Sequence, residues 1–264
     1  MRTFTGKLFA LPLLALIVWP AWGSDTAMPA SAYSCMDARQ MLHNNYITLK
    51  TDRNSLFRAY VAGPEDARRG ILLIHGWLGL TKDVEAWADE FARAGYCAMA
   101  VDLYDGKVTT TPAEARLLME SVDQAEANAK YAAALNALTS AGRKVAVVGW
   151  SYGAVQALHA ALVQPGMVAA TVMYYPFGEL TADKKSLSAL NGPIIGQFAL
   201  DDFAFTPDKR EAFASAVEAA GKTLEAHVYD AKHGFAAASG PNFDKATHES
   251  ALSSTYESLD RYMR

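Results

Sequence analysis

The sequence contains only two cysteines, Cys35 and Cys97, in 264 residues. A framework of several disulfides therefore cannot hold this chain together, and the lack of a Cys-x-x-Cys pair argues against a metal site built on sulfur. Cys97 lies in an apolar run and fits a small buried side chain. A bridge between the two cysteines is the alternative, and it requires an oxidising compartment.

Charged residues are also sparse, at 20% of the chain, and acidic residues outnumber basic ones by 28 to 24. No cluster of lysines and arginines accompanies this mildly acidic balance, which argues against nucleic acid or anionic lipid as a partner. The chain also lacks internal repeats and low-complexity tracts. Hydrophobic residues make up 51% of the sequence, enough for a large core in a single domain.

The first 23 residues predict a secretory signal peptide. Basic residues precede an apolar stretch from Leu8 to Trp19, and Ala21 and Gly23 stand where a signal peptidase requires small side chains. A membrane anchor is the alternative, but the stretch is shorter than the roughly 20 residues of a spanning helix. We therefore expect cleavage after Gly23, a mature domain of residues 24–264, a periplasmic or extracellular location and no stable membrane insertion.

Short apolar runs and helical patterns alternate along the rest of the chain. After a loop-rich segment 24–45 with a short helix near 35–42, strands are expected as an antiparallel pair within 46–62 and at 69–75, 97–103, 144–149, 168–175, 193–200 and 223–229. Helices are expected at 84–94, within 111–141 as one helix or two, and at 154–163, 206–221 and 245–263. This alternation predicts an α/β fold with a mostly parallel twisted sheet and helices on both faces.

A Gly-x-Ser-x-Gly motif at residues 149–153 lies between a predicted strand and a predicted helix. Strand, sharp turn and helix form the setting of a nucleophile elbow, in which glycines beside the serine avoid side-chain collisions. Ser151 is therefore the predicted nucleophile. The backbone N–H of Tyr152, at the start of the helix, is a predicted donor to an oxyanion.

A nucleophilic serine needs a base, and the base needs a carboxylate that orients it. In a fold of this kind the acid and then the histidine follow the serine in the chain, each in a loop after a strand. His233 follows the last predicted strand and is the predicted base. Asp201 and Asp202 both follow the strand at 193–200, and only one of them can reach the imidazole.

Four other histidines are not expected to act as the base. His227 lies inside a predicted strand and His159 on the helix after the elbow, where packing or solvent exposure is the simpler interpretation. His43 precedes the sheet and His248 lies on the last helix, and both are expected at the surface.

Four motifs together resemble the dienelactone hydrolase family of α/β-hydrolases. They are the run Val101–Lys107, the elbow, the strand that begins at Pro193 and ends in aspartate, and the loop His233-Gly234-Phe235. The resemblance extends from about residue 65 to the C-terminus. It implies an α/β-hydrolase fold with a Ser-His-Asp triad, in a variant of the family that uses serine as its nucleophile.

The resemblance also implies two assignments that the residues alone leave open. By spacing from the proline that opens the strand, the acid falls on Asp202 rather than on Asp201. The first oxyanion loop of the family matches His75–Gly79, so the second oxyanion donor falls on the backbone N–H of Trp77.

The chain departs from the family's pattern at its site. Many members, the namesake among them, have a cysteine where this chain has Ser151, and the namesake has a glutamate where this chain has Gly76. The arginine that helps to hold the carboxylate of the lactone is not matched in the run Asp105-Gly106-Lys107. Dienelactone itself is therefore not the expected substrate.

These motifs predict a secreted serine hydrolase that cleaves a small ester or lactone through an acyl-enzyme. Such chemistry needs neither a metal nor an organic cofactor, and the expected partner is the small-molecule substrate. Four aromatic residues are candidates for an apolar pocket, although several are expected in the core: Tyr104, Trp150, Phe203 and Phe235. An acyltransferase with the same triad and a non-catalytic binding protein on a hydrolase scaffold are the alternatives.

Overall fold

The computed structural model describes residues 35–36, 45–181 and 183–264. Three predictions lie wholly or mostly outside the described residues: the signal peptide of residues 1–23, the surface position of His43 and the short helix near 35–42. Within the described part, no helix has the length and apolar character that crossing a membrane requires.

Eight strands and seven α-helices make up the described chain. The strands are β1 Tyr46–Lys50, β2 Leu56–Ala62, β3 Arg69–Ile74, β4 Cys97–Val101, β5 Lys144–Trp150, β6 Val168–Tyr174, β7 Ile194–Asp201 and β8 Leu224–Lys232. The helices are α1 Lys82–Arg93, α2 Pro112–Glu120, α3 Gln124–Thr139, α4 Tyr152–Val163, α5 Lys184–Ser188, α6 Pro207–Ala219 and α7 Lys245–Tyr262.

The strands form one sheet in the order β1-β2-β4-β3-β5-β6-β7-β8. The antiparallel contacts are β1 with β2 and β2 with β4, whereas the pairs from β4 to β8 are parallel. The predicted α/β fold with a mostly parallel sheet is thus confirmed. The chain order reverses between β3 and β5, and the loops after these strands flank the crevice where such folds bind ligands.

Alternate residues of the central strands enter two hydrophobic cores, one on each face of the sheet. On one face, Leu72 of β3 belongs to the same cluster as Leu135 of α3. On the other face, Leu73 belongs to the cluster of Trp87 of α1 and Leu259 of α7. Both faces of β3 are therefore covered, which explains its continuous apolar sequence. These two cores fix the strand ends that carry the site.

The region that predicted one helix or two forms two, α2 and α3. Thr111 caps the first with a hydrogen bond from the N–H of Glu114 at 3.4 Å, and Pro112 is its first residue. Asp123 caps the second with a hydrogen bond from the N–H of Ala125 at 2.8 Å. The helix does not continue through Asp123, because the first N–H groups of α3 donate to the side chain of Asp123 and not to carbonyl oxygens of a preceding helical turn.

A disulfide joins Cys35 to Cys97, the first residue of β4, with a Cα–Cα distance of 5.5 Å. Beside it, the buried guanidinium of Arg143 donates to the carbonyl oxygens of Cys35 at 2.8 Å and Ala67 at 2.9 Å. The bridge spans 62 residues, and closing a loop of that length stabilises the fold by about 4 kcal/mol on the chain-entropy model. It fastens the segment before β1 to the amino end of the sheet, opposite the edge that carries the site.

Candidate active site

Ser151 lies between the end of β5 and the start of α4, with φ 55° and ψ −119°. A side chain with a Cβ at Gly149 would collide with the carbonyl oxygen of Gly153, and one at Gly153 would collide with that of Ile74. The two glycines of the motif are therefore required by close backbone approach. The N–H of Ser151 donates to the backbone carbonyl oxygen of Tyr174 at 3.0 Å, which ties the strained turn to β6.

Three of the predicted site residues meet at the carboxyl edge of the sheet. The Oγ of Ser151 lies 2.9 Å from the Nε2 of His233. The Nδ1 of the same imidazole lies 3.0 Å from each carboxylate oxygen of Asp202. Asp201 is the last residue of β7, exposed, in register with Lys232 on β8. Asp202, and not Asp201, is the carboxylate in contact with the imidazole.

The Asp202 carboxyl is nearly buried and has a fixed orientation. Its Oδ1 accepts hydrogen bonds from the backbone N–H groups of Ala204 at 2.8 Å and Phe205 at 3.1 Å. Burial pushes the pKa of Asp202 up, but the hydrogen bond and charge of His233, together with those two N–H groups, outweigh it and lower the pKa below its ordinary value. An ionised Asp202 accepts a hydrogen bond from the Nδ1–H of His233, and with the proton held on Nδ1 the unprotonated Nε2 can accept a hydrogen bond from the hydroxyl of Ser151.

The loop after β3 lies beside the elbow because β3 and β5 pair in parallel, with Ile74 in register with Gly149. His75 opens this loop and is fully buried. Its Nδ1 lies 2.7 Å from the carbonyl oxygen of Gly76, and its Nε2 accepts from the N–H of Leu103 at 3.1 Å. Burial lowers the pKa of His75, so the ring stays neutral and can both donate and accept. It thereby fixes the loop that carries Trp77.

The sequence run that follows β4 builds a second fixed loop. Asp102 is buried, and its carboxylate accepts from the N–H groups of Tyr104 at 3.0 Å and Gly106 at 2.6 Å. The buried ammonium of Lys130 donates to the Oδ1 of Asp105 at 2.9 Å. Since the N–H of Leu103 donates to His75, this run is tied to the loop beside the elbow.

The four aromatic pocket candidates take different positions. Trp150 and Phe235 are buried, and Trp150 stacks on Tyr174 with a ring-centroid distance of 5.7 Å. Tyr104 is buried with its ring 4.6 Å from that of His75, beside a separate cleft of about 190 Å³. Phe203 alone among the four is exposed. It lies with its ring centroid 5.0 Å from that of His233.

Two further aromatic residues beside the imidazole were not singled out from the sequence. Tyr175 and Phe177 follow β6, and their ring centroids lie 5.1 Å and 6.2 Å from that of His233. The run Tyr-Pro-Phe directly after a strand next to the elbow was the available signal. Tyr175 is buried beneath the imidazole, whereas Phe177 is half-buried beside it.

The remaining described histidines lie away from this contact. His227 is half-buried on β8 with its Nε2 3.1 Å from Glu225, and His159 is half-buried on α4. The surface position expected for His248 is wrong, because this ring is buried against Trp87 with a centroid distance of 5.0 Å. His248 lies on the same face of α7 as the apolar residues that pack onto α1. A polar residue at that position of the helix is buried together with them.

Comparison with known proteins identifies the family. Residues 57–263 match the dienelactone hydrolase family. The protein called usf from Aquifex pyrophilus is 27% identical over 182 residues, which cover 65% of this chain and 78% of that protein.

Two solved structures share the fold. A dienelactone hydrolase-like promiscuous phosphotriesterase from metagenomic libraries has a TM-score of 0.71 at 17% identity, over 83% of this chain and 98% of that one. A thermophilic esterase from Thermogutta terrifontis has a TM-score of 0.58 at 18% identity, over 80% of this chain and 91% of that one. The family match spans most of the chain, from the second strand to the last helix. The chain therefore belongs to the dienelactone hydrolase family and is a carboxylic ester hydrolase.

Proposed function

We propose that this protein is a secreted serine hydrolase that cleaves small carboxylic esters or lactones through an acyl-enzyme on Ser151. The observation that carries the proposal is the continuous contact from Ser151 Oγ to His233 Nε2 and from His233 Nδ1 to Asp202. A serine in a strained turn, a base within hydrogen-bond distance and a buried carboxylate behind the base are the parts that acyl transfer requires.

In the first half-reaction Ser151 attacks the ester carbonyl while His233 takes its proton. The N–H groups of Trp77 and Tyr152 bind the oxyanion, each worth about 3 kcal/mol of barrier when such donors are removed in other hydrolases. His233 then gives the proton to the leaving alcohol, and Asp202 stabilises the charged imidazole. In the second half-reaction water takes the place of the alcohol, and the same groups release the acid.

The substrate proposed is a small ester or lactone other than dienelactone. The loop after β3 has Gly76 beside His75, at the position where the namesake of the family has a glutamate. The run after β4 carries Asp105 and Lys107 in place of an arginine, and the ammonium of Lys130 is already bound to Asp105. These features give little support to a strong carboxylate-binding subsite at this loop.

A fluorophosphonate probe tests the proposed nucleophile. We expect the purified protein to take up one equivalent of probe, mapped to Ser151 by peptide mass spectrometry, and to hydrolyse short-chain esters. The reason is that only a serine activated by a neighbouring base reacts readily with such a probe. Adding an alcohol acceptor distinguishes hydrolysis from acyl transfer. A hydrolase releases the free acid, whereas an acyltransferase forms the ester of the added alcohol. A folded protein that takes no label would contradict the assignment and favour a binding role.

Secretion is proposed from the first 23 residues, and the Cys35–Cys97 bridge supports it because disulfides persist in oxidising compartments. We expect the exported protein to begin at Ser24 and to have the mass of residues 24–264 with one disulfide. N-terminal sequencing and intact mass measure both. Leu14→Arg, which places a charge in the apolar stretch, is the control and is expected to block export. An uncleaved N-terminus on the wild type would overturn the proposal.

A further inference from the structure

Phe203 is a large apolar side chain held at the surface beside the site. It is 74% exposed, more than any other large hydrophobic side chain in the described residues. Its position is fixed by its neighbours, because the N–H groups of Ala204 and Phe205 donate to the Oδ1 of Asp202. A ring that stays in water on a rigid loop lacks the usual gain from burial, which a bound apolar group would restore.

Phe177 provides a second ring on the same side of the imidazole. Its backbone N–H donates to the carbonyl oxygen of Ser151 at 3.1 Å, so the loop after β6 is tied to the elbow. The ring centroids of Phe177 and Phe203 lie 6.2 Å apart with an angle of 57° between the planes. These rings lie 6.2 Å and 5.0 Å from the imidazole of His233. The two phenylalanines therefore flank the base from two different loops.

The position of the rings decides which half of an ester they contact. The leaving oxygen must come within hydrogen-bond distance of His233 Nε2 to receive its proton, so the alcohol group lies at the imidazole. The carbonyl oxygen lies instead toward the loop of Trp77 and the start of α4. A group attached to the leaving oxygen thus extends toward Phe203 and Phe177, whereas the acyl chain extends away from them.

We propose that Phe203 and Phe177 form a subsite for an aromatic alcohol group, so that the preferred substrates are esters of benzyl-type or aryl alcohols. The proposal rests on the proposed function, since it concerns the leaving group of that reaction. Tilted and edge-on contacts between rings are favourable at centroid distances of 4.5–7 Å, and the two loops present rings at such an angle to one another. A flat ring at the leaving oxygen can contact both.

Three acetates that share one acyl group test the subsite: benzyl acetate, cyclohexylmethyl acetate and ethyl acetate. Wild type is expected to have the highest kcat/KM for the benzyl ester. Phe203→Ala is expected to lower kcat/KM for benzyl acetate about tenfold and for ethyl acetate only about twofold, because an ethyl group reaches little of the ring. Phe203→Leu keeps an apolar side chain but not a ring. Compared with Phe203→Ala, it is expected to recover more of the wild-type kcat/KM for the cyclohexylmethyl ester than for the benzyl ester.

Leu56→Ala is the matched control, because Leu56 is also an exposed apolar side chain, at 66%, but lies on β2 at the far side of the sheet. It is expected to leave all three rates unchanged. If Phe203→Ala and Phe177→Ala hydrolyse the esters with the wild-type ratio of benzyl to ethyl acetate, the subsite is refuted while the hydrolase assignment stands. If wild type turns over none of the three and takes no fluorophosphonate label, both proposals fail.

Discussion

Replacement of Ser151 by alanine is expected to lower kcat/KM for ester hydrolysis by at least about 10³-fold, because the variant lacks the oxygen that we propose as the nucleophile. His233, Asp202 and the proposed backbone donors of Trp77 and Tyr152 remain in place, so the residual rate is expected to report oxyanion stabilisation and binding alone. Initial rates with a short-chain ester measure the loss, and a fluorophosphonate probe is expected to leave the variant unlabelled.

Two controls separate this loss from misfolding. Ser151→Ala keeps the backbone turn at φ 55° and removes one half-buried hydroxyl, so its melting temperature is expected to stay close to that of wild type. Ser253→Ala changes a serine on α7 whose hydroxyl donates to Glu257 at 3.4 Å, outside the contacts of Ser151, His233 and Asp202, and is expected to keep full activity. A Ser151→Ala protein that melts normally and retains more than a tenth of the wild-type rate would contradict the proposed nucleophile.

The most predictable parts of the structure were those formed by residues close together in the sequence. The elbow combines a strand, a turn and a helix within a few residues, and its two glycines carry the steric requirement in their own identity. His233 and the adjacent pair Asp201 and Asp202 could be placed because parallel strands deliver their following loops to the same edge of a sheet. The choice of Asp202 over Asp201 needed the resemblance to the dienelactone hydrolase family. The meeting of Ser151, His233 and a neighbouring aspartate is therefore a consequence of topology, which a pattern of alternating strands and helices already contains.

Contacts between separate loops were less predictable. Tyr175 and Phe177 reach the imidazole only because β6 lies between β5 and β7 in the sheet, and no local pattern specifies which side of a loop faces the site. His248 was misplaced for a similar reason, since the burial of a helix face depends on its neighbours. For Cys97, an apolar run is compatible with a free thiol or a bridge, and the outcome depends on the position of Cys35, 62 residues away.

Adjacent aspartates provide the other large expected effect, because Asp202→Asn and Asp201→Asn make the same chemical change one residue apart. Asp202→Asn is expected to lower kcat about 10⁴-fold, as replacements of this kind do in other triads. An amide facing Nδ1 can donate to it, which favours the tautomer with the proton on Nε2. Nε2 then points a proton at Ser151 and cannot accept one. Asp201 is exposed on β7, so Asp201→Asn is expected to change kcat less than twofold.

The dependence of the melting temperature on pH gives a second measurement for Asp202→Asn. The pKa of Asp202 is lower in the folded protein than its ordinary value, so its ionised form stabilises the fold at pH values above about 3.9. That contribution is lost as the pH falls through the lower folded value, because both states are then protonated. The wild type is therefore expected to have a higher melting temperature than Asp202→Asn at neutral pH, and the difference is expected to shrink in acid.

The kcat values of the two variants also have outcomes that would contradict the assignment. If Asp201→Asn lost activity and Asp202→Asn kept it, the carboxylate that orients His233 would be Asp201. Equal activity in both variants would mean that neither aspartate orients His233.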